Sequence, residues 1–259
     1  MKFLERIIAG KLEESRRLLA TDVVEAFKGD IARRPAPLSL KAALDAKAPG
    51  RAIIAEIKRA SPSKGELGMG WDPVELARIY EHNGAAAISV LTETAYFKGD
   101  PDFIRRLRPG CTIPILRKDF ILEPIQVSES AALGADALLL IVGLLAPAQL
   151  KALLAVTHTL GLEAMVEVHT AEEMKIAVAA GSRVIGVNSR DLKTFKMYPD
   201  RALELAPMAP PGVTLVAASG LNRPQDLERL EAAGIHAFLI GESLVTEGDP
   251  GRKLRELIG

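Results

Sequence analysis

The chain has only one cysteine among its 259 residues, Cys111. A disulfide within the chain needs two cysteines, and without partner cysteines the usual zinc-binding spacings are impossible. We therefore expect a protein of a reducing compartment, with no structural disulfide, no metal and no bound cofactor.

An excess of charge of either sign is also missing. Lys and Arg together number 33, as do Asp and Glu, so the formal net charge is +0. No global field is available to recruit nucleic acid or an anionic membrane surface, and any affinity for anions must be local. The expected partner is a small molecule, not a nucleic acid or a membrane, and we expect a monomer.

Long apolar runs are absent as well. No stretch approaches the roughly 20 uninterrupted apolar residues of a membrane-spanning helix. The most apolar region, 131–148, is interrupted by Gly134, Asp136 and Pro147. The first six residues, MKFLER, carry charges where a signal peptide needs an apolar run. These features predict a soluble cytoplasmic protein.

What the sequence does contain, after about residue 50, is an alternation of short apolar runs and amphipathic stretches. This pattern is typical of parallel strands covered by helices. The predicted strands are 52–58, 85–91, 113–119, 137–142, 163–168, 184–188, 214–219 and 237–241, and the predicted helices include 73–83, 123–133, 147–160, 171–180 and 223–233. Several of these helices end in a glycine before the next strand, as helix C-caps should.

An unbroken series of eight β/α units favours an α/β fold of the (β/α)8 TIM-barrel type. We expect one domain, 1–259, in which 49–259 form the barrel. An open doubly wound sheet is the alternative, but Gly65, Gly68 and Gly70 after the first strand lack its dinucleotide-binding spacing. We interpret these glycines as part of a long first βα loop, either a lid or an ordinary surface loop.

Residues 1–48 precede the first predicted strand. Apolar residues recur there at helical spacing, and Pro35 and Pro37 break the segment. We predict an N-terminal helical extension that caps the barrel or packs beside it.

The first predicted strand carries two charged residues inside an apolar run. Side chains alternate along a strand, so Glu56 and Lys58 share one face while Ile57 takes the other. Burying these charges is costly unless they pair or serve a ligand. A solvated strand face is the alternative, but the isoleucines on both faces argue against it.

Other predicted strands also end in polar residues, and a TIM barrel places its active site at these carboxyl ends. The strand-end residues are Lys118 and Asp119, Glu167, Asn188, the pair Ser219-Gly220, and Gly241-Glu242-Ser243. A single polar strand end can simply emerge into water, but several together predict a site with both acid and base. The glycines after the last two strands suit phosphate binding by backbone N–H groups, or plain turns, and the Glu242 side chain would then point away.

Several motifs, in this order and spacing, resemble the indole-3-glycerol phosphate synthase family, from about residue 46 to the end of the chain. They are EIKRASPS from Glu56, LTE from Leu91 with YFKG from Tyr96, LRKDF from Leu116, VEVH from Val166, GVNSRDL from Gly186, SG at Ser219 and IGESL from Ile240. The resemblance implies a TIM barrel with an N-terminal helical extension. It implies a phosphorylated substrate, 1-(o-carboxyphenylamino)-1-deoxyribulose 5-phosphate, which is converted into indole-3-glycerol phosphate, carbon dioxide and water.

The resemblance also implies roles for single residues. Lys118 would be the general acid and Glu167 the base. Lys58 would hold the anthranilate carboxylate and share in proton donation, Glu56 would orient the lysines, and Asn188 would hydrogen-bond the substrate. Apolar contacts are implied for Phe97, Phe120 and Leu139, which could equally be ordinary core, and phosphate contacts for Ser61, Ser219, Gly220, Gly241 and Glu242. Arg190 would lie beside the ligand or form a surface salt bridge with Asp191.

The sequence departs from the family pattern in two places. Ala218 stands where relatives carry a glutamate before the Ser-Gly pair, and 66–70 lack an arginine that relatives often have in the first loop. Two other functions therefore stay open. One is an aldolase-like barrel with a Schiff-base lysine, and the other is a barrel that binds a phosphorylated ligand without turnover.

Overall fold

A computed structural model describes residues 3–61, 65–67, 70–246 and 248–259. Eight parallel strands form a closed barrel in which each strand pairs with its neighbours in sequence and the last pairs with the first. The strands are β1 Ala52–Ile57, β2 Ala87–Leu91, β3 Ile115–Lys118, β4 Ala137–Ile141, β5 Glu163–Val168, β6 Val184–Asn188, β7 Thr214–Ala218 and β8 Ala237–Ile240. The predicted TIM barrel is confirmed, and the open doubly wound alternative is wrong because the sheet closes.

Three helices precede the barrel and nine follow its first strand within the described ranges. They are α1 Phe3–Leu19, α2 Val23–Arg33, α3 Leu40–Asp45, α4 Pro73–His82, α5 Asp102–Leu107, α6 Pro124–Leu133, α7 Pro147–Thr159, α8 Ala171–Ala179, α9 Arg201–Leu205, α10 Pro224–Glu231, α11 Glu242–Thr246 and α12 Pro250–Ile258. None of the helices in these ranges combines the length and apolar character that crossing a bilayer requires.

Strand alternation divides the buried apolar residues into two cores. Inward-facing residues such as Ile54, Leu116 and Met165 fill the barrel, and the intervening residues, such as Ile53 and Ile185, pack against the outer helices. The same alternation places strand-end side chains above the inner core, at the carboxyl end of the barrel.

The N-terminal extension both caps the barrel and packs beside it. Leu40 and Leu44 of α3 belong to the inner core, and the N–H of Lys41 donates to Glu163 at the start of β5, 2.7 Å away. Helix α3 therefore covers the amino end of the barrel. Beyond α2, the Arg34 guanidinium donates to the Ala131 and Ala135 carbonyls at 2.9 and 2.8 Å, which fixes that segment beside α6.

The first βα loop begins as a small antiparallel pair between Ala60–Ser61 and Gly65–Glu66. An ion pair joins Glu66 to Lys98 of the next βα loop. Pro62 and Ser63 of the first motif, and Gly68 of the glycine group, lie outside the described residues. The lid interpretation of this loop stays a prediction.

Candidate active site

The structure brings all of the predicted site residues to one cavity at the carboxyl end of the barrel. They are Glu56, Lys58, Ser61, Phe97, Lys118, Phe120, Leu139, Glu167, Asn188, Arg190, Ser219, Gly220, Gly241 and Glu242. They come from strands that are far apart in sequence, and parallel strand ends meet at one edge. Their common location follows from the fold, whereas their individual roles are not settled by location alone.

Glu56 and Lys58 face the barrel interior, as alternation predicts. Glu56 is only 4% exposed, so the solvated-face alternative is wrong. Lys58 Nζ lies 2.7 Å from Glu56 Oε1, which compensates much of the cost of burying both charges. Gly241 makes room for this pair, because a Cβ there would come within 2.6 Å of Glu56 Oε1.

A second ion pair joins β3 and β5. Lys118 Nζ lies 3.3 Å from Glu167 Oε2, and Glu167 is 1% exposed. Burial disfavours the charged form of Lys118, but the carboxylates of Glu167 and Glu56 outweigh burial and raise its pKa. Lys118 is therefore a protonated ammonium at neutral pH.

Glu167 shows the complementary shift. Burial raises its pKa, but Lys118, His169 and a hydrogen bond from Asn188 outweigh burial, and the pKa of Glu167 is lowered. At neutral pH the site thus holds a charged acid beside an ionised base. This is the protonation pattern that general acid–base catalysis requires.

Asn188 connects Glu167 to the loop after β7. Its Nδ2 donates to Glu167 Oε1 at 3.1 Å, while its Oδ1 accepts from Ser219 Oγ at 2.8 Å and from the N–H of Arg190 at 3.0 Å. These bonds fix the amide orientation, since its oxygen takes two donors and its nitrogen faces a carboxylate.

One wall of the cavity is apolar. Phe97, Phe120 and Leu139 all line it, and the two phenylalanine rings lie 6.2 Å apart. The loop that carries Phe97 is held by Glu93, whose carboxylate accepts from the N–H groups of Tyr96 and Phe97 at 2.8 and 2.9 Å. Phe120 and Leu139 also belong to the inner core, so the cavity wall and the core are continuous.

The residues that follow β7 and β8 also line the cavity. Ser219 and Gly220 have positive φ values of 70° and 79°, and a Cβ at Gly220 would come within 2.7 Å of Met197 Cε. The turn therefore needs glycine. Arg190 Nη2 lies 3.9 Å from Glu242 Oε2, a contact with the β8 loop that the sequence did not predict.

Ala218 also lines this cavity. It is paired in register with Asn188 and is 4% exposed, so a longer side chain there would project among the polar groups. Within the described ranges, no group of three or more His, Cys, Asp or Glu side chains is arranged to hold a metal ion.

Sequence reasoning missed two residues next to this site. His169 stood in a quoted motif but received no role, and Glu173 was not singled out. The His169 Nε2 atom lies 3.5 Å from Glu167 Oε1, and its Nδ1 atom lies 3.4 Å from Glu173 Oε2. The available signal was that His169 follows the predicted strand end two residues after Glu167.

Comparison with solved structures confirms the fold alone. The chain superposes on thiamine phosphate pyrophosphorylase from Pyrococcus furiosus with a TM-score of 0.60 at 16% identity, covering 85% of this chain and 96% of that one. It superposes on KGPDC from Streptococcus mutans with a TM-score of 0.61 at 14% identity, covering 80% and 95%. At such identities, shared architecture does not imply shared activity.

Comparison of sequences is more specific. The family model described as indole-3-glycerol phosphate synthase matches residues 4–257. The chain is 46% identical over 263 residues to the indole-3-glycerol phosphate synthase of Carboxydothermus hydrogenoformans, with 99% of each chain covered. It is 42% identical over 258 residues to that of Bordetella pertussis, with 98% of each covered. The chain therefore belongs to the indole-3-glycerol phosphate synthase family.

Proposed function

We propose that this chain converts 1-(o-carboxyphenylamino)-1-deoxyribulose 5-phosphate into indole-3-glycerol phosphate, carbon dioxide and water. Family membership supports the reaction. The observation that carries the assignment within the structure is the Lys118–Glu167 pair at 3.3 Å, which supplies a charged acid and an ionised base in one cavity. The catalytic and binding roles of the single cavity residues are part of the same proposal.

Ring closure begins when the aromatic carbon that bears the carboxylate attacks the ketone. Negative charge develops on the ketone oxygen, which needs a proton or a cation. Lys118 is the general acid because it faces the cavity and its pKa is raised. Lys58 holds the anthranilate carboxylate and shares in this proton donation, and Glu56 orients it through their 2.7 Å contact.

After carbon dioxide has left, the new hydroxyl departs as water and a proton is removed from the ring. Glu167 is the base, since its lowered pKa keeps it ionised. Asn188 holds the Glu167 carboxylate through its 3.1 Å hydrogen bond and offers contact with the substrate hydroxyl or carboxylate.

The ends of the substrate match the two sides of the cavity. The apolar wall of Phe97, Phe120 and Leu139 receives the aromatic ring. The phosphate binds at Ser61, Ser219 and the backbone N–H groups of Gly220, Gly241 and Glu242, with Arg190 beside it. All of these residues line the cavity.

The aldolase-like alternative requires a neutral lysine amine. The carboxylates near Lys118 raise its pKa, which opposes this requirement for that residue. Borohydride trapping with a keto-phosphate checks both lysines, since the proposed acid–base chemistry leaves no covalent adduct.

The non-catalytic alternative rests on Ala218. Assaying the purified chain with the carboxyphenylamino substrate by indole fluorescence decides between turnover and binding alone. We expect indole-3-glycerol phosphate to form well above the background rate. Tight substrate binding without product would support the binding-only alternative and refute the proposed enzyme.

We further propose that the protein acts as a cytoplasmic monomer. In the described ranges the large apolar side chains that are exposed are Leu19, Leu38 and Tyr198, which is few for a stable subunit interface. Light scattering of the purified chain checks this, and a dimer mass at micromolar concentration would contradict it.

A further inference from the structure

The proposed reaction consumes one proton per turnover. A carboxylate anion enters and leaves as neutral carbon dioxide, and the ketone oxygen leaves as water. The acid donates two protons, one to the ketone oxygen and one to the departing hydroxyl, whereas the base takes only one from the substrate. Glu167 can return that proton to Lys118, which lies 3.3 Å away. The second proton must come from solvent.

Lys118 has poor access to solvent while substrate is bound. Its side chain is only 16% exposed and faces the cavity that the substrate fills. Glu167 is 1% exposed. A path for protons through the protein to the Lys118–Glu167 pair would reprotonate Lys118 without opening the cavity.

His169 and Glu173 lie on such a route. His169 Nε2 is 3.5 Å from Glu167 Oε1, and His169 Nδ1 is 3.4 Å from Glu173 Oε2. Together with the 3.3 Å contact between Glu167 and Lys118, these distances form a continuous chain of titratable groups. The Lys118–Glu167 contact is a hydrogen bond, whereas the two His169 contacts are slightly longer than one, as is common for catalytic contacts in a free enzyme.

The surroundings favour a proton-carrying role for His169. Its side chain is 7% exposed, and Nε2 is buried with no hydrogen-bond partner in the structure other than the close approach to Glu167. A buried polar atom without a partner is costly and calls for an explanation. Burial opposes ionisation of Asp191 in the loop after β6, but hydrogen bonds from Thr194 and Lys193, with a smaller electrostatic contribution from His169, lower its pKa.

Glu173 connects His169 to the outside of the barrel. Its side chain is 21% exposed, and its Oε2 accepts from the backbone N–H of His169 at 2.6 Å. Gly143 permits this placement, because a Cβ there would come within 2.9 Å of Glu173 Oε1. Glu173 also sits at the third position of α8, whose first turn is capped by Thr170.

We propose that His169 and Glu173 carry the solvent proton to the Glu167–Lys118 pair once per turnover. Glu173 takes the proton from water and passes it to His169 Nδ1, and the imidazolium gives its Nε2 proton to Glu167. Glu167 then passes the proton to the neutral amine of Lys118. The imidazole is left as the Nδ1–H tautomer, and it returns to the Nε2–H tautomer by exchanging one proton with water before the next turnover. His169 acts through Glu167 and does not touch the substrate.

This inference rests on the proposed function, so the parent chain is assayed first. The variants are His169→Ala, His169→Gln and Glu173→Gln, with Glu172→Gln as the matched control. Glu172 neighbours Glu173 on the same helix, but its side chain is 74% exposed and pairs only with Lys175 among the contacts described. For each, kcat and KM are measured at fixed pH while the imidazole buffer concentration is raised.

We expect kcat to fall on the order of 10- to 100-fold in the His169 and Glu173 variants, with KM within twofold, because proton delivery becomes limiting. Imidazole should restore kcat of His169→Ala in proportion to its concentration. Glu172→Gln should match the parent and show no response to imidazole.

A loss of kcat that imidazole does not relieve would overturn the relay, since it is what a purely orienting or helix-capping role predicts. So would kcat within twofold of the parent in His169→Gln and Glu173→Gln. If His169→Ala fails to fold, Glu173→Gln still decides, because its kcat must fall and must rise with buffer concentration. An inactive parent would instead refute the proposed function, and the relay with it.

Discussion

Two buried ionic groups meet at the end of β3, and they differ in how completely they are satisfied. The Asp119 carboxylate, which also borders the cavity, contacts Lys11 at 3.0 Å, Arg117 at 3.1 Å and the Thr92 hydroxyl at 2.6 Å. Its neighbour Lys118 lines the same cavity and makes one ion pair among the described residues, with Glu167 at 3.3 Å.

The difference separates a structural network from a chemical one. Burial opposes ionisation of Asp119, but Arg117 and Lys11 outweigh it and lower its pKa to about 2. Asp119 has no capacity left for a ligand, and it joins the N-terminal helix to the barrel. An ammonium has three donors, so Lys118 retains donors that can point into the cavity. This unused hydrogen-bonding capacity supports the proposal that Lys118 is the group that acts on substrate.

The largest expected effect is on turnover, from substitution of Lys118. Lys118→Ala should lower kcat on the order of 10² to 10⁴, because a positioned acid is lost. The melting temperature should stay close to that of the parent, since Glu167 keeps its hydrogen bond from Asn188 and its contact with His169. Steady-state indole formation and a thermal melt measure both. Retention of most of the parent kcat would exclude Lys118 as the acid.

Asp119→Asn tests the structural side. Removing the carboxylate takes one anionic partner from Arg117 and one from Lys11, which keep only Glu129 and Glu14, and breaking a buried ion pair typically costs about 3–5 kcal/mol. Urea unfolding measures the change in the free energy of unfolding. As a control, Asp200→Asn breaks an exposed pair with Arg229 and should cost under about 1 kcal/mol. Equal effects of the two substitutions on the free energy of unfolding would contradict a structural role for the buried network around Asp119.

The lowered pKa of Asp119 also predicts how the free energy of unfolding depends on pH. Its pKa is lowered from 3.8 to about 2 on folding, so its stabilising contribution is complete above pH 3.8 and is lost as pH falls toward 2. Over this range the unfolding free energy of the parent should fall more steeply than that of Asp119→Asn. Parallel curves would show that Asp119 is not the group that titrates.

Glu167→Gln tests the partner of Lys118. The amide keeps the shape of the side chain but cannot take a proton, so kcat should fall on the order of 10² while binding of a product-like ligand persists. Single-turnover kinetics and a ligand titration give the two quantities. A parent-like rate and pH profile would place the base elsewhere.

The smallest effect expected is at Ala218, on the cavity side of the comparison. Ala218→Glu adds an acceptor beside Asn188, where a carboxylate can join the network of Glu56, Lys58 and Lys118. We expect a modest rise in kcat if the alanine is a lost carboxylate. An unchanged or lower kcat would indicate that the neighbours are packed for alanine and that the new charge is unpaired.

The sequence predicts the residues of the cavity well, but it predicts the buried ionic network around Asp119 poorly. Glu56 and Lys58 could be placed because strand alternation and the closed barrel fix which side chains face inward. Lys118, Glu167 and Asn188 could be grouped because parallel strand ends meet at one edge.

The missed features depend on contacts between distant segments. Lys11 lies in helix α1 and was not singled out from the sequence, yet it pairs with Asp119, 108 positions away. Arg190 lies 3.9 Å from Glu242 at the start of α11, whereas the salt bridge considered as the alternative to a ligand contact was with its sequence neighbour Asp191. In the sequence, Glu173 resembles any acidic residue in the first turn of a helix. Its contact with His169 depends on the space that Gly143 leaves. The hydrophobic periodicity of the sequence does not reveal such contacts between distant segments.

Product stoichiometry of the purified chain tests the central claim most directly. With the carboxyphenylamino substrate supplied at known amount, indole-3-glycerol phosphate is quantified by fluorescence and carbon dioxide is collected from the same reaction. We expect one of each per substrate consumed, with neither formed above background by Lys118→Ala. Substrate recovered unchanged, or carbon dioxide released without indole, would contradict ring closure by the Lys118–Glu167 pair.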